Sequence, residues 1–219
     1  MSKKSFEHPH QDQPIRLAGE PLSRARAAML MVHGRGAQAE DILALVEQLS
    51  QPGFAYLAPQ ARENSWYPKR FLVPLEENEP WLSSALGFVG EVLAKITTAG
   101  IPASQIILLG FSQGACLTLE FSARNAKRYG GIAGLSGALI GPEKQPRDYA
   151  GSLAGTPVFL GCSDVDFHVP KEFVDHTGRV MQQLGGEVTK RFYPKMEHTT
   201  NQDEIEFVRG MMRALLLMT

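Results

Sequence analysis

The chain has 219 residues, of which 43% are apolar, so it is long enough for one α/β domain with a buried core and too short for two typical domains. Its formal charge of -1 at pH 7 provides no general electrostatic attraction to nucleic acid or to an anionic membrane surface. Two cysteines do not make a disulfide framework, and we expect both to be buried free thiols in a reducing cytoplasm.

Residues 1–14 are polar and lack the apolar core of a signal peptide, so we expect a flexible tail followed by a single domain over residues 15–219. No apolar run is long enough to span a bilayer, and we therefore expect a cytoplasmic protein without stable membrane insertion. His8 and His10 flank a proline in this tail, and we expect them to be solvated because a zinc site needs more ligands than these two.

Apolar, β-favouring runs alternate with segments of helical periodicity along the rest of the chain. This alternation predicts an α/β protein with a mostly parallel central sheet and helices on both faces. The predicted elements, in chain order, are a strand at 15–18, a strand at 27–33, a helix at 39–49, a strand at 54–58, a helix at 79–98, a strand at 106–109, a helix at 116–123, strands at 131–135 and 158–160, a helix at 171–184, a strand at 188–193 and a helix at 203–217.

The most specific motif is Gly-x-Ser-x-Gly at residues 110–114, between the predicted strand at 106–109 and the helix that follows. A strand-turn-helix with this pattern exposes the serine on a strained turn, next to the first N–H groups of the helix. Gly110 and Gly114 fit such a turn because a Cβ at either position would collide with the neighbouring strand or helix. We therefore predict that Ser112 is a catalytic nucleophile and that the N–H of Gln113 is one donor of an oxyanion hole.

A serine nucleophile needs a histidine base and an acid that orients it, in the chain order serine, acid, histidine. Asp164 and Asp166 lie in the loop after the strand at 158–160, at the edge of the sheet where α/β proteins bind ligands. His198 lies in the loop beyond the last predicted strand and before the C-terminal helix. These positions predict His198 as the base and leave the acid open between the two aspartates.

Four segments together carry a resemblance to a known family. The segments are 32–36 (Val-His-Gly-Arg-Gly), 110–115 (Gly-Phe-Ser-Gln-Gly-Ala), 166–170 (Asp-Phe-His-Val-Pro) and 193–198 (Tyr-Pro-Lys-Met-Glu-His). Their residues and order make the chain similar to the phospholipase/carboxylesterase family of small α/β-hydrolases, which includes acyl-protein thioesterases and bacterial carboxylesterases. The resemblance covers most of the chain and leaves out only the N-terminal tail.

The resemblance implies the α/β-hydrolase fold and hydrolysis of a small-molecule ester or thioester without a cofactor or metal. It selects Asp166 over Asp164, because the acid of the family precedes the proline of an Asp-x-x-Val-Pro run by four residues. It also implies that the N–H of Arg35 is the second oxyanion donor, so that the Arg35 side chain either steers an anionic substrate or points to water. Lys195 stands where the family usually has glycine, and we expect this replacement to alter the shape of the loop beside His198.

The irregular stretch between Pro59 and Pro80 is long for a connection in a compact domain, and such stretches are often binding loops or lids. Its aromatic side chains either line a substrate pocket above the nucleophile or anchor the loop to the body of the domain. Neighbours of the predicted acid and base are pocket candidates on the same reasoning. The candidate substrate-binding residues are Trp66, Tyr67, Phe71, Leu72, Phe167, His168 and Met196.

Two further histidines have structural interpretations. We expect His33 to hold the predicted oxyanion loop in shape by hydrogen bonding, because it immediately precedes Gly34. We expect His176 to lie at the surface, because it stands among charged neighbours on a predicted helix.

Three functions are open at this point: a carboxylesterase for short or medium acyl chains, a thioesterase or lysophospholipase with the same chemistry, and a non-catalytic scaffold that binds a small molecule or a partner. A long apolar channel would favour the second, and loss of a triad member would favour the third. The apolar segment at 207–218 is compatible with burial against the sheet and with contact between two copies, so a homodimer is also open.

Overall fold

The computed structural model describes residues 8–143 and 145–217. The first seven residues of the expected tail and the last two residues of the expected domain lie outside the described residues. The strands are β1 (Ile15–Gly19), β2 (Ala27–Val32), β3 (Phe54–Pro59), β4 (Ile106–Phe111), β5 (Gly131–Leu135), β6 (Pro157–Ser163) and β7 (Glu187–Tyr193). They form one sheet in the order β1-β3-β2-β4-β5-β6-β7, in which β1 is antiparallel to β3 and the other neighbours are parallel.

The helices cover both faces of this sheet. They are α1 (Ala39–Leu43), α2 (Val46–Leu49), α3 (Trp81–Thr98), α4 (Gln113–Arg124), α5 (Lys171–Gln183) and α6 (Gln202–Leu217). Alternate side chains of β2 point to opposite faces, as the pleat of a strand requires. Leu30 packs in the core that includes α3, α4 and α5, whereas Met29 and Met31 pack in the core that includes α1, α2 and α6. The prediction of a mostly parallel sheet with helices on both faces is therefore confirmed.

Most predicted elements are present, with boundaries that differ by a few residues. The predicted helix at 39–49 is instead two short helices, α1 and α2, separated by a turn. The helix predicted at 116–123 begins three residues earlier, at Gln113, directly after the serine of the Gly-x-Ser-x-Gly motif. The strand predicted at 158–160 extends over β6 because its polar end pairs with β7 as far as Ser163 and Tyr193.

The parallel strands bring four loops to one edge of the sheet. Val32 at the end of β2 pairs with Gly110 near the end of β4, and Ser163 at the end of β6 pairs with Tyr193 at the end of β7. The loops that follow these strands contain residues 33–38, the turn at Ser112, residues 164–170 and residues 194–201. This edge is where open α/β sheets bind their ligands.

The segment before β1 is anchored at His10. The His10 side chain is fully buried, its Nε2 donates to the carbonyl oxygen of Trp66 at 2.9 Å, and its Nδ1 accepts the N–H of Arg62 at 3.1 Å. Burial lowers the pKa of His10 to about 4, which keeps the ring neutral. The prediction of a solvated histidine is therefore wrong for His10, because its ring packs against Trp66 and Trp81. His8 is exposed, as expected.

The C-terminal helix α6 packs its apolar residues against the sheet. Ile205, Val208, Met212 and Leu215 are buried in the same core as Met29 and Met31. This packing accounts for much of the apolar character of the C-terminal segment, and a homodimer stays a prediction. Across residues 8–143 and 145–217, no helix combines the length and the apolar character that crossing a bilayer requires.

Candidate active site

Ser112 lies on a strained turn between β4 and α4. Its φ of 54° and ψ of -119° fall in a region that residues with a Cβ rarely adopt. The turn is fixed at both sides, since the Ser112 N–H donates to the carbonyl oxygen of Leu135 at 2.9 Å and the Ser112 carbonyl accepts the N–H of Cys116 at 3.0 Å. The side chain is thereby presented at the carboxyl edge of the sheet.

The two glycines of the motif allow the backbone to pack closely around this turn. A Cβ at Gly110 would overlap the carbonyl oxygen of Gly114 on α4. A Cβ at Gly114 would overlap the carbonyl oxygens of Val32 and His33, at the end of β2 and in the loop after it. The predicted steric reason for both glycines is confirmed.

His198 connects Ser112 to a buried aspartate. Its Nε2 lies 2.8 Å from Ser112 Oγ, and its Nδ1 lies 2.6 Å from Asp166 Oδ2. An ionised carboxylate only accepts hydrogen bonds, so Nδ1 donates to Asp166 and Nε2 accepts the proton of the serine hydroxyl. The structure therefore brings the predicted nucleophile, base and acid into one hydrogen-bonded chain.

Asp166 is buried and held in its charged form. Its Oδ1 accepts the N–H groups of His168 at 2.8 Å and Val169 at 3.1 Å, in addition to the bond from His198 to Oδ2. Burial by itself raises the pKa of Asp166, but the hydrogen bonds from His198, Val169 and His168, together with the electrostatic attraction of His198, outweigh burial and lower that pKa below its usual value. A carboxylate in this state orients the imidazole and stabilises its protonated form.

Asp164, the alternative acid, is bonded to another residue of the loop that contains His198. Its carboxylate is exposed, and Oδ1 accepts the N–H of Lys195 at 2.8 Å. Lys195 has a φ of 53°, in the left-handed region that favours glycine. Lys195 thus adopts a backbone conformation that suits the glycine found here in the family. This conformation gives no support to the expected change in loop shape.

The loop after β2 lies against the turn of Ser112. A Cβ built on Gly34 would be 3.5 Å from the Cβ of Ser112, so the backbone that leads into Arg35 borders Ser112. His33 holds this loop, because its Nδ1 donates to the carbonyl oxygen of Gly34 at 2.8 Å and its Nε2 accepts the N–H of Ala61 at 3.0 Å. The predicted structural role of His33 is confirmed. Burial lowers the pKa of His33, which favours the neutral ring that these two bonds require.

Gln113 and Arg35 use their side chains to hold the loop between Pro59 and Pro80. Gln113 is buried; its Oε1 accepts the N–H of Trp66 at 3.0 Å and its Nε2 donates to the carbonyl oxygen of Tyr67 at 2.7 Å. The guanidinium of Arg35 donates to Ser65 Oγ and the Pro68 carbonyl at 3.0 Å, and to the Lys69 carbonyl at 2.5 Å. The Arg35 side chain was expected either to steer an anionic substrate or to point to water, and neither expectation included this anchoring role. Sequence reasoning missed it because the partners lie about thirty or more residues away.

A cleft of about 360 Å³ opens beside Ser112. Of the candidate substrate-binding residues, Tyr67, Phe71 and His168 line it. Trp66 does not, because its side chain is fully buried and its indole N–H donates to the His33 carbonyl at 2.8 Å, so the prediction is wrong for Trp66. The other candidates are placed elsewhere: Leu72 packs on the core, Phe167 is 77% exposed outside the cleft, and Met196 Sδ contacts Asn201.

A second, smaller cleft of about 230 Å³ borders the loop after β2. Ala37, Ile42, Leu45 and Phe111 give it an apolar lining, and it also reaches Thr199 and Thr200, which directly follow His198. Sequence reasoning did not predict this cleft, because its walls come from α1, the nucleophile turn and the loop before α6.

The remaining candidate groups have structural explanations. Cys116 and Cys162 are buried free thiols, as predicted, and burial raises the pKa of each to about 12. His176, expected at the surface, is half-buried on α5. In the part of the chain that the structure describes, no three His, Cys, Asp or Glu side chains are grouped so as to hold a metal ion.

The sheet order, the strained turn after β4 and the hydrogen-bonded chain at its carboxyl edge are those of an α/β-hydrolase. The model of the phospholipase/carboxylesterase family matches residues 18–216. The chain therefore belongs to the phospholipase/carboxylesterase family, as its four motif segments predicted.

Comparison with solved structures and curated proteins gives the same family. The crystal structure of a phospholipase/carboxylesterase from Dyadobacter fermentans superposes with a TM-score of 0.89 at 44% identity, covering 92% of this chain and 97% of that one. Acyl-protein thioesterase 1 of Aspergillus fumigatus is 30% identical over 145 residues, which are 64% of this chain and 59% of the relative. Acyl-protein thioesterase 1 of Debaryomyces hansenii is 33% identical over 112 residues, 51% of this chain and 48% of the relative. The matched region thus spans roughly half to three fifths of these curated relatives.

Proposed function

We propose that the protein is a serine hydrolase that cleaves carboxylic esters with short or medium acyl chains through an acyl-enzyme intermediate. The observation that carries this proposal is the hydrogen-bonded chain from Ser112 through His198 to Asp166. In a non-catalytic scaffold, neither this arrangement of the three groups nor the strained backbone at Ser112 would serve a function. Membership of the phospholipase/carboxylesterase family supports the same chemistry.

In the proposed reaction, His198 Nε2 takes the proton of Ser112 Oγ as this oxygen attacks the substrate carbonyl. Asp166 keeps the proton on His198 Nδ1 and stabilises the imidazolium that forms. His198 then protonates the leaving group, which releases the alcohol or thiol and leaves an ester between the acyl group and Ser112. A water molecule activated by His198 hydrolyses this ester and regenerates the serine.

We propose the N–H groups of Arg35 and Gln113 as the donors that stabilise the tetrahedral oxyanion. Gln113 is the first residue of α4, so its N–H has no carbonyl partner within the helix and lies at the positive end of the helix dipole. The loop that contains Arg35 borders Ser112 through Gly34. Donors of this kind each contribute roughly 3 to 4 kcal/mol to transition-state stabilisation in other serine hydrolases.

A thioesterase or lysophospholipase is the second candidate, because the two curated relatives are named acyl-protein thioesterases. The same residues would act, and only the leaving group or the acyl chain would differ. We also propose that the substrate is a small molecule and that the protein acts as one domain in the cytoplasm. The single sheet and the two buried free thiols support this proposal.

The first experiment is hydrolysis of p-nitrophenyl esters from acetate to palmitate by the wild type and Ser112→Ala. We expect turnover that peaks at one chain length and falls by about 10⁴-fold or more in the variant. Ser50→Ala is the matched control, because Ser50 is exposed and lies outside both clefts. Equal activity of Ser112→Ala and Ser50→Ala would contradict the proposal. A parallel series of acyl thioesters separates the two candidate functions.

A further inference from the structure

The larger cleft beside Ser112 concentrates positive charge. Arg35, Lys69 and Arg70 line this surface, which we name the cationic cleft, and no Asp or Glu is among its lining residues in the described part of the chain. The whole sequence has 22 Lys and Arg against 23 Asp and Glu, so the local excess does not follow from composition. The positive charge is therefore a property of this cleft.

The two arginines are oriented but not neutralised. Arg35 donates to carbonyl and hydroxyl oxygens of the loop that it anchors, and Arg70 Nη2 donates to the carbonyl oxygens of Phe167 and His168 at 3.3 and 3.4 Å. Neutral acceptors of this kind fix a guanidinium without removing its charge. Within residues 8–143 and 145–217, neither arginine nor Lys69 forms an ion pair with a carboxylate.

The smaller cleft has the opposite character. We name it the apolar cleft; Ala37, Ile42, Leu45 and Phe111 line it, and no Lys or Arg is among the described residues that line it. Its carboxylate, on Asp41, already accepts the N–H of Gln38 at 2.7 Å. The two clefts adjoin the same nucleophile, because Ser112 lines the cationic cleft and its chain neighbour Phe111 lines the apolar cleft.

We infer that the site selects esters or thioesters that carry a carboxylate or phosphate on one side of the scissile bond and an apolar group on the other. The anionic group binds in the cationic cleft, and the apolar group binds in the apolar cleft. This inference rests on the proposed function, since it names the substrate class of the same serine. A partly enclosed surface of one sign raises the local concentration of substrates of the opposite sign, and this effect weakens as salt screens the charges.

The test uses pairs of esters in which a carboxylate is replaced by its neutral amide. On the acyl side, the mono-p-nitrophenyl ester of glutarate is compared with its terminal amide analogue. On the leaving-group side, para-acetoxybenzoate is compared with para-acetoxybenzamide, and para-acetoxyphenyl phosphate represents the phosphate. We expect kcat/KM to be about tenfold higher for the anionic member of at least one pair at low salt, with most of the difference in KM. The preferred pair identifies the half of the substrate that carries the charge.

Charge-removing variants connect the preference to the cationic cleft. The ratio of kcat/KM between anionic and neutral esters is expected to fall about threefold in Arg70→Gln, and closer to one in the double variant with Lys69→Gln. Lys95→Gln is the matched control, because Lys95 is exposed on α3 and lines neither cleft, and its ratio should equal that of the wild type.

Binding to Ser112→Ala tests the inference without turnover. Isothermal titration calorimetry of this variant should show tighter binding of the anionic glutarate ester than of its amide, and the difference should shrink at high salt. Equal kcat/KM within every pair, or a preference unchanged by Arg70→Gln and Lys69→Gln, would overturn the inference and leave the esterase proposal intact. Absence of turnover of every ester by the wild type would instead refute the proposed function. In that case, equal binding of the glutarate ester and its amide to Ser112→Ala would overturn the inference.

Discussion

Glu204, in the first turn of α6, is a buried carboxyl group with an incomplete set of hydrogen bonds. Its side chain is fully buried, and Oε2 accepts the N–H of Asn201 at 2.9 Å. Oε1 has no hydrogen-bond partner among the described residues and fills the space left by the missing side chain of Gly161. Burial, the largest cause, raises the pKa of Glu204 from 4.5 to about 7, and the neighbouring Asp203 adds to the rise. We expect Glu204→Gln to stabilise the fold at neutral and alkaline pH.

The size of this effect follows from the difference in proton affinity between the folded and unfolded chains. Each tenfold change in proton affinity is worth about 1.4 kcal/mol, so a rise in pKa from 4.5 to about 7 corresponds to about 3 kcal/mol. Below the unfolded pKa the carboxyl is protonated in both states and the cost is absent. The cost grows as pH rises from 4.5 to about 7 and is complete above that value.

Urea unfolding of the wild type and Glu204→Gln at about pH 5 and about pH 8 measures this difference. Glutamine carries no charge and keeps an oxygen for the Asn201 N–H. The variant should therefore be more stable than the wild type by about 3 kcal/mol at the higher pH, where Glu204 is charged, and by about 1 kcal/mol or less at the lower pH. Glu206→Gln is the control, since Glu206 lies on the same helix and is exposed. A stability difference for Glu204→Gln that is equal at both pH values, or a destabilised variant at the higher pH, would refute the reasoning.

Four further substitutions test the site. Asp166→Asn should lower kcat by about 10⁴-fold, because asparagine favours the wrong imidazole tautomer, as in serine proteases, whereas Asp164→Asn should lower kcat by no more than about tenfold. If steady-state kinetics showed the larger loss of kcat for Asp164→Asn, the acid would be Asp164. Gly114→Ala should cost about 3 kcal/mol or more in thermal unfolding, because its Cβ meets backbone oxygens that have little room to shift, and a melting temperature like that of the wild type would disprove the overlap. Gln113→Ala keeps the backbone N–H and removes the side-chain bonds to the loop, so KM should rise more than kcat falls; a loss confined to kcat would argue against the anchoring role.

Features that depend on contiguous residues were predictable from the sequence. The turn at Ser112 is one, because the strand, the two glycines and the helix that define it occupy a few neighbouring positions. The acid was less accessible to such reasoning. Asp164 and Asp166 share a loop, and which of them reaches His198 depends on how that loop folds back over the end of β6. The resemblance to the family selected Asp166, and the geometry of the loop gives the physical reason, since Asp164 is turned toward Lys195.

Aromatic residues of the long loop show where local reasoning fails. Trp66 and Tyr67 are adjacent in the chain and similar in chemistry, yet Trp66 packs on His10 and His33 in the interior while Tyr67 borders the cleft. The N-terminal residues looked like a polar tail because the partners of His10 lie more than fifty residues away. Long-range packing decided both positions.

The sequence by itself determined the order of strands and helices along the chain, the turn at Ser112 and the family, because each depends on side-chain periodicity or on short motifs. Only the tertiary structure decided what surrounds the nucleophile. Arg35 and Arg70 come from loops after different strands and meet at one cleft, and Phe111 lines another. Charge complementarity is a property of surfaces assembled from distant segments, so the substrate preference of this site is encoded in the fold and not in any single stretch of the chain.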